Sequence, residues 1–263
     1  MIDSHTHLNL EPLFSDYKTY LQHALDAGVS NLMNIGVNIE TSQIAVDLAK
    51  KHPELWASVG LHPEEAVSGQ IDTIKQELEN LIASGNVSAI GECGLDYTGT
   101  VDHGAQKELF LLQAGLAHKH ELPLLIHCRN TRRPDEVVSY DAYGDLVDLL
   151  QSQPIPKFVL HCVSGPVSYV QKALDLGAYV SFAGNVTYPN AEAIRAILKI
   201  TPQNRMLAET DAPFLSPQSK RGQTCEPAFV IETAKFIADF LGKSFGEIDR
   251  ITSENAMHLF PSE

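Results

Sequence analysis

The sequence predicts an α/β fold, a single (β/α)8 TIM barrel with an extra C-terminal helix, on three observations. Eight short apolar, β-branched runs alternate with amphipathic stretches. The 263 residues show no break in composition, and α/β barrels often reach that length as one domain, so residues 1–263 are expected to form one unit. No G-x-G-x-x-G follows the first run, which removes the best support for a doubly wound open sheet.

The eight runs, in order, are MIDSHTHL, NLMNIGV, LWASVGLH, VSAIGECGLD, PLLIHC, KFVLHC, AYVSFAG and RMLAETD. Each is short enough for a strand buried on both faces. Between them lie DYKTYLQHALDAG, TSQIAVDLAKKH, IDTIKQELENLIASG, AQKELFLLQAGLAHKH, YGDLVDLLQSQ, VSYVQKALDLG and AEAIRAILKI, with apolar residues at i, i+3 and i+4. Gly28, Gly85 and Gly177 stand where three of these helices should stop. Two further helices are expected after the eighth strand, in EPAFVIETAKFIADFLGK and SFGEIDRITSENAMHLF. After LLIHC the connection RNTRRPDEVVSYDAYG far exceeds the usual loop of about 2–6 residues. Long loops at this end of a barrel often cover active sites.

Composition excludes several classes. Lys and Arg number 19 against 33 Asp and Glu, a net charge of −14, which argues against non-specific grip on long duplex nucleic acid. No stretch approaches the ~20 apolar residues of a membrane span, and no basic segment followed by an apolar run opens the chain. Four single cysteines without Cys-x-x-Cys fit a reducing, cytoplasmic setting.

The polar residues that break the apolar runs fall at one place in each unit. His5 and His7 are expected at the end of strand 1, His62 at the end of strand 3 and Glu92 at the end of strand 4. His127 ends strand 5, His161 strand 6 and Asp211 strand 8. In a barrel these positions converge at the mouth of one face, where barrel enzymes do their chemistry. Residues i and i+2 of a strand share a side, so His5 and His7 can both face the mouth, as can Glu209 and Asp211. Converging imidazoles and carboxylates are costly to bury unpaired, and a divalent cation resolves that cost. Six ligands exceed one tetrahedral zinc and suit two metals that share a bridging carboxylate. Cys93, Cys128 and Cys162 each follow a ligand and by alternation should face the surrounding helices. His23, His52, His103, His118, His120 and His258 fall on helices or loops and are read as structural.

The segments DSHTHL, GLHP, AIGECGLD, PLLIHCR, LHCVSG, ETDAP and the pair Glu226-Pro227 together resemble the TatD family of metal-dependent deoxyribonucleases, within the amidohydrolase-like barrels. The resemblance runs over essentially the whole chain. It implies a two-metal site and hydrolysis of DNA phosphodiester bonds, with 3′–5′ exonuclease action on single-stranded DNA ends. By position it implies that His5, His7 and Asp211 hold one metal, that His127 and His161 hold the second, and that Glu92 bridges both. His62 would touch the substrate phosphate. The chain departs from the family at Val163, where Phe or Tyr is common, at Asn130, where Asp is common, and at Cys225, where Asn usually precedes Glu-Pro.

The expected chemistry is attack by a metal-activated water, with Asp211 and Glu92 as catalytic residues and Asp211 as the general base. Arg129, Arg132, Arg133, Lys220 and Arg221 are candidates to hold the phosphate, each with solvated loop charge as the alternative. The metals are expected to be two divalent ions, Mg, Mn or Zn, with imidazoles favouring zinc, manganese or nickel over magnesium. No membrane and no obligate protein partner is expected. Hydrolysis of a small ester, lactone or amide is the second reading, since only the pocket would differ. A non-catalytic metal-bound partner protein is the third.

Overall fold

The computed structural model describes residues 1–131, 140–155 and 157–260. Arg132 and Arg133 lie outside the described residues. The eight apolar runs form β1 (Ile2–Thr6), β2 (Asn31–Ile35), β3 (Leu55–Val59), β4 (Ala89–Asp96), β5 (Leu124–Arg129), β6 (Phe158–Leu160), β7 (Tyr179–Phe182) and β8 (Met206–Ala208). They pair in parallel, in sequence order from β1 to β8. The last seam is closed beyond β8: the Asp211 amide donates to the His5 carbonyl at 2.9 Å, and the His7 amide to that of Ala212 at 2.8 Å.

The amphipathic stretches form α1 (Tyr17–Asp26), α2 (Ile39–Ala49), α3 (Ile71–Ala83), α4 (His103–His120), α5 (Ala142–Ser152), α6 (Val167–Asp175) and α7 (Glu192–Ile200). Two more, α8 (Val230–Leu241) and α9 (Phe245–Leu259), follow β8. Gly28, Gly85 and Gly177 follow α1, α3 and α6 with φ of +91°, +80° and +97°, the left-handed turn that side chains resist. None of the described helices is long and apolar enough to cross a membrane.

Two apolar clusters divide the work. The larger lies between the strands and the helices around them. The smaller fills the barrel floor, where Ile2, Met33, Trp56, Ala89, Leu125, Val159, Tyr179 and Leu207 meet Ala256, Leu259 and Phe260 at the end of α9. The Trp56 and Phe260 rings lie 5.8 Å apart. The extra helix therefore seals the end of the barrel opposite the mouth.

Two bulges decide which side chains reach the mouth. Between β1 and β2 the register runs Asp3↔Leu32 and then Thr6↔Asn34, three residues against two. Between β4 and β5 it runs Ile90↔Leu124 and then Cys93↔Ile126. An extra residue reverses the facing of everything beyond it. Ala89 faces the floor, and strict alternation would turn Glu92 outward. The bulge turns it inward, with Cys93 and Leu95 packing outward.

Candidate metal centre

Six side chains meet above the floor. The Nε2 atoms of His5 and His7 lie 3.3 Å apart. His5 Nε2 is 3.4 Å and His7 Nε2 3.7 Å from Glu92 Oε2. Asp211 Oδ1 lies 3.7 Å from His5 Nε2 and 3.4 Å from His7 Nε2. On the other side, Glu92 Oε1 is 3.2 Å from His127 Nδ1 and 2.9 Å from His161 Nε2. The two oxygens of one carboxylate are thus divided between two imidazole pairs. The His5 and His161 rings stack at 3.8 Å, closing the gap between the halves.

This donor set fits divalent cations. His5, His7, Glu92 and His161 are buried, and no ion pair with Lys or Arg is seen for Glu92 among the described residues. Buried carboxylates without a cation are expensive, and imidazole nitrogens at these distances cannot all donate to one another. His5, His7 and Glu92 bring one donor atom each within 4.8 Å of one another, and so do His62, Glu92 and His127. His5, His161 and Glu209 form a third such group.

The rings of His7 and His127 are held in ligand-ready tautomers. His7 Nδ1 donates to the Ile35 carbonyl at 3.2 Å, leaving Nε2 bare toward Glu92 and Asp211. His127 Nε2 donates to Asp96 Oδ2 at 2.9 Å, leaving Nδ1 bare toward Glu92. His161 Nδ1 faces Glu209 Oε1 at 3.5 Å, an electrostatic contact and not a hydrogen bond, since that oxygen already accepts the Cys162 amide. An acceptor behind a ligand imidazole fixes its proton and raises its basicity. Asp96 in this role and Glu209 beside His161 were not singled out from sequence, although both sit in the motifs quoted above: GECGLD ends on Asp96, and ETDAP opens on Glu209.

The electrostatics follow. Burial opposes ionisation of Glu92, but His161, His127 and His5 outweigh it and hold the carboxyl well below its usual range. Burial is likewise outweighed at Asp96, where His127 and Thr98 bring it to about 2. His5 is pushed down by burial and by neighbouring His161. His7, His127 and His161 rise, because their carboxylate neighbours overcome burial.

The centre opens into a cleft of about 1090 Å³. His62 lies three residues past the end of β3 and lines it. Its Nδ1 accepts the Glu64 amide at 3.3 Å, so Nε2 carries the proton, 3.8 Å from Glu92 Oε1. Burial pulls its pKa to about 4, so it is a neutral donor at pH 7. Arg129, the last residue of β5, also lines the cleft.

Several expectations need correction. Glu92 does not end its strand; β4 runs on to Asp96, and the bulge presents Glu92 from the middle. Cys93 is fully buried, and Cys128, although it borders the cleft, turns its thiol toward the Ala142 carbonyl of α5 at 3.6 Å as alternation predicts, but Cys162 lies past β6 with φ of +43°, where strand alternation no longer applies, and lines the cleft. Arg221 does not line the cleft but stacks on Tyr188 at 4.5 Å. Lys220 sits over the Phe229 ring in a separate surface hollow with His23 and Glu226.

Comparison with known proteins agrees with this geometry. The chain is 33% identical to the "Uncharacterized metal-dependent hydrolase YabD" of Bacillus subtilis, over 99% of this chain and 98% of that one. It is 31% identical to the "3'-5' ssDNA/RNA exonuclease TatD" of Yersinia pseudotuberculosis, over 99% of each. The crystal structure of YJJV, a TatD homologue from Escherichia coli, superposes with a TM-score of 0.89 at 27% identity, covering 99% of this chain and 97% of that one. The family model described as TatD related DNase matches residues 2–261, and the chain belongs to this family of metal-dependent hydrolases.

Proposed function

We propose that the chain, acting as one domain over residues 1–263, hydrolyses phosphodiester bonds at the ends of single-stranded DNA, in the 3′ to 5′ direction. One observation carries the reading: a buried carboxylate, Glu92, offers one oxygen to His5 and His7 and the other to His127 and His161, at the base of an open cleft. That arrangement suits two divalent ions, one held by His5, His7 and Asp211, the other by His127 and His161, with Glu92 shared. Bound there, such ions, Mg, Mn or Zn, would lower the pKa of a water, in the case of zinc from 15.7 to about 7, and would offset charge growing on a phosphate.

The chain's own groups supply the rest. Asp211 borders the cleft with its side chain 14% exposed, and its carboxylate stays ionised because His7, His161 and His5 outweigh its burial. It accepts the proton that the attacking water gives up. The His62 Nε2–H donates to a phosphate oxygen, and Arg129 draws the phosphate toward the β5 side. Some relatives at 31% identity carry the name of single-stranded DNA and RNA exonuclease, which supports nucleic acid as the substrate and its polarity.

The test is hydrolysis of end-labelled single-stranded oligonucleotides with Mg, Mn or Zn added, beside a panel of esters, lactones and amides. A ladder shortening from the 3′ end, abolished by chelator and restored by metal, is expected. Turnover confined to the small-molecule panel would overturn the nuclease reading. Full activity in excess chelator after dialysis would overturn the metal reading.

A further inference from the structure

The wall of the cleft is chemically divided, and the division follows strand order. The loops after β8, β1 and β2, three neighbouring strands around the closed barrel, bring Phe214, Leu10 and Val37 to the cleft. The loop after β3 brings Glu64 and Glu65, and the end of β5 brings Arg129 and Asn130. A phosphate chain is repelled at β3 and attracted at β5, so a strand end enters from the β5 side and finishes against the apolar arc.

On that arc Phe214 stands apart. It is 52% exposed, more than any other large apolar side chain among the described residues, and its ring centroid lies 6.2 Å from that of His7. Water around such a ring is costly, and an exposed aromatic face beside a buried charged centre marks a place that something covers. The group that covers it must be flat and apolar and must lie beside a phosphate held over the metal centre.

We infer that Phe214 is a stacking platform for the nucleobase adjoining the scissile phosphate at the 3′ end. This rests on the nucleic-acid reading above. The subsite reads the presence of a base and not its identity, because every base has a π-face. Leu10 and Val37 line the same arc of the cleft, and no hydrogen-bonding side chain among these three could read a base edge.

Two measurements on the metal-loaded protein test the inference. In the first, cleavage of an oligonucleotide with a normal 3′ base is compared with one ending in an abasic sugar. The wild type should favour the base-bearing end in kcat/KM by about five- to 150-fold, the range that base–aromatic stacking gives. Phe214→Ala and Phe214→Leu should bring that ratio close to one, and Phe214→Trp should keep it. In the second, 2-aminopurine at the 3′ end, behind a phosphorothioate linkage that resists cleavage, should be quenched on binding to wild type and Phe214→Trp but not to the other two. An undiminished base preference in Phe214→Ala, or equal loss on both ends, would overturn stacking while leaving the nuclease reading intact. Failure of the wild type to cleave either oligonucleotide would overturn both.

Discussion

Asp96→Asn isolates the role of a residue that would not itself bind an ion but acts through the ligand His127. Asp96 is 3% exposed, and its two oxygens are fully engaged. One accepts the Thr98 amide at 2.9 Å, and the other accepts His127 Nε2 at 2.9 Å. In the asparagine variant the amide oxygen stays with Thr98, and the NH2 group meets His127 Nε2. Two donors cannot pair, so the imidazole moves its proton to Nδ1, where the bare lone pair is needed. Loss of such an outer partner costs about 10- to 100-fold in metal affinity, or ~1.4–2.7 kcal/mol. Titration of metal-free protein against a competing chelator should show one ion weakened by that factor and the ion on the His5 and His7 side nearly unchanged. His127→Ala should weaken the same ion, and the double variant should add little to it, because both changes act through one ligand. Two ions with wild-type affinity in Asp96→Asn would refute the tautomer argument.

Further expectations concern the opposite half of the site, the proton balance and the floor. His5→Ala and His7→Ala should lose metal and hydrolysis to a similar extent, with the double variant little worse than either, since their Nε2 atoms lie 3.3 Å apart and serve one ion; normal metal content in the double variant would remove both from the centre. Because ligand imidazoles must be neutral and those of His7, His127 and His161 are raised by neighbouring carboxylates, protons compete with the ion, and metal affinity should fall as pH falls through that range, as isothermal titration can follow. The metal-free protein should behave oppositely: stability drawn from these raised groups is complete below about pH 6.5 and is lost as pH rises through their folded values, so chelated melts that stay flat above that pH would contradict the shifts. Phe260→Ala, at a side chain only 1% exposed, should cost ~3–5 kcal/mol by leaving a cavity beneath Trp56. With ~2–4 °C per kcal/mol for a chain of this size, melting followed by the fluorescence of the single tryptophan should drop by about 6–20 °C while metal content holds.

The order of the barrel was legible because period and punctuation agree: apolar runs alternate with helical stripes, and Gly28, Gly85 and Gly177 stop their helices at positive φ. The convergence of His5, His7, His127, His161 and Asp211 was legible because each sits near the C-terminal end of a strand, His127 just inside β5 and Asp211 just past β8. What alternation could not predict was the reversal of facing. Nothing in MIDSHTHL marks a bulge, and in AIGECGLD the glycines Gly91 and Gly94 signal a bulge or a close approach without fixing where the extra residue falls, so Glu92 reads as a strand terminus when it is a mid-strand residue turned inward. Cys162 and Lys220 failed for a related reason. Both lie in loops, where neither period nor spacing fixes direction, and one turns toward the cleft while the other turns toward Phe229.

The motifs that supply the ligands also supply the groups behind them, and one geometric rule accounts for both. Beyond the bulge, β4 places Glu92, Gly94 and Asp96 on one face. Glu92 reaches the centre, and Asp96, two steps farther along, reaches the back of His127 on the neighbouring strand. Between them a side chain is forbidden: at Gly94, where φ is +139°, a Cβ would collide with the carbonyl oxygen of His127. The glycine lets β4 and β5 approach closely enough for one strand both to offer a bridging carboxylate and to orient its neighbour's imidazole. After β8 the order reverses, with Glu209 behind His161 and Asp211 in front, as the chain rises from the floor toward the mouth. Any substitution that shifts the facing of either segment by one residue therefore removes a ligand and its orienting partner together, which makes insertions here more damaging than loss of a single ligand.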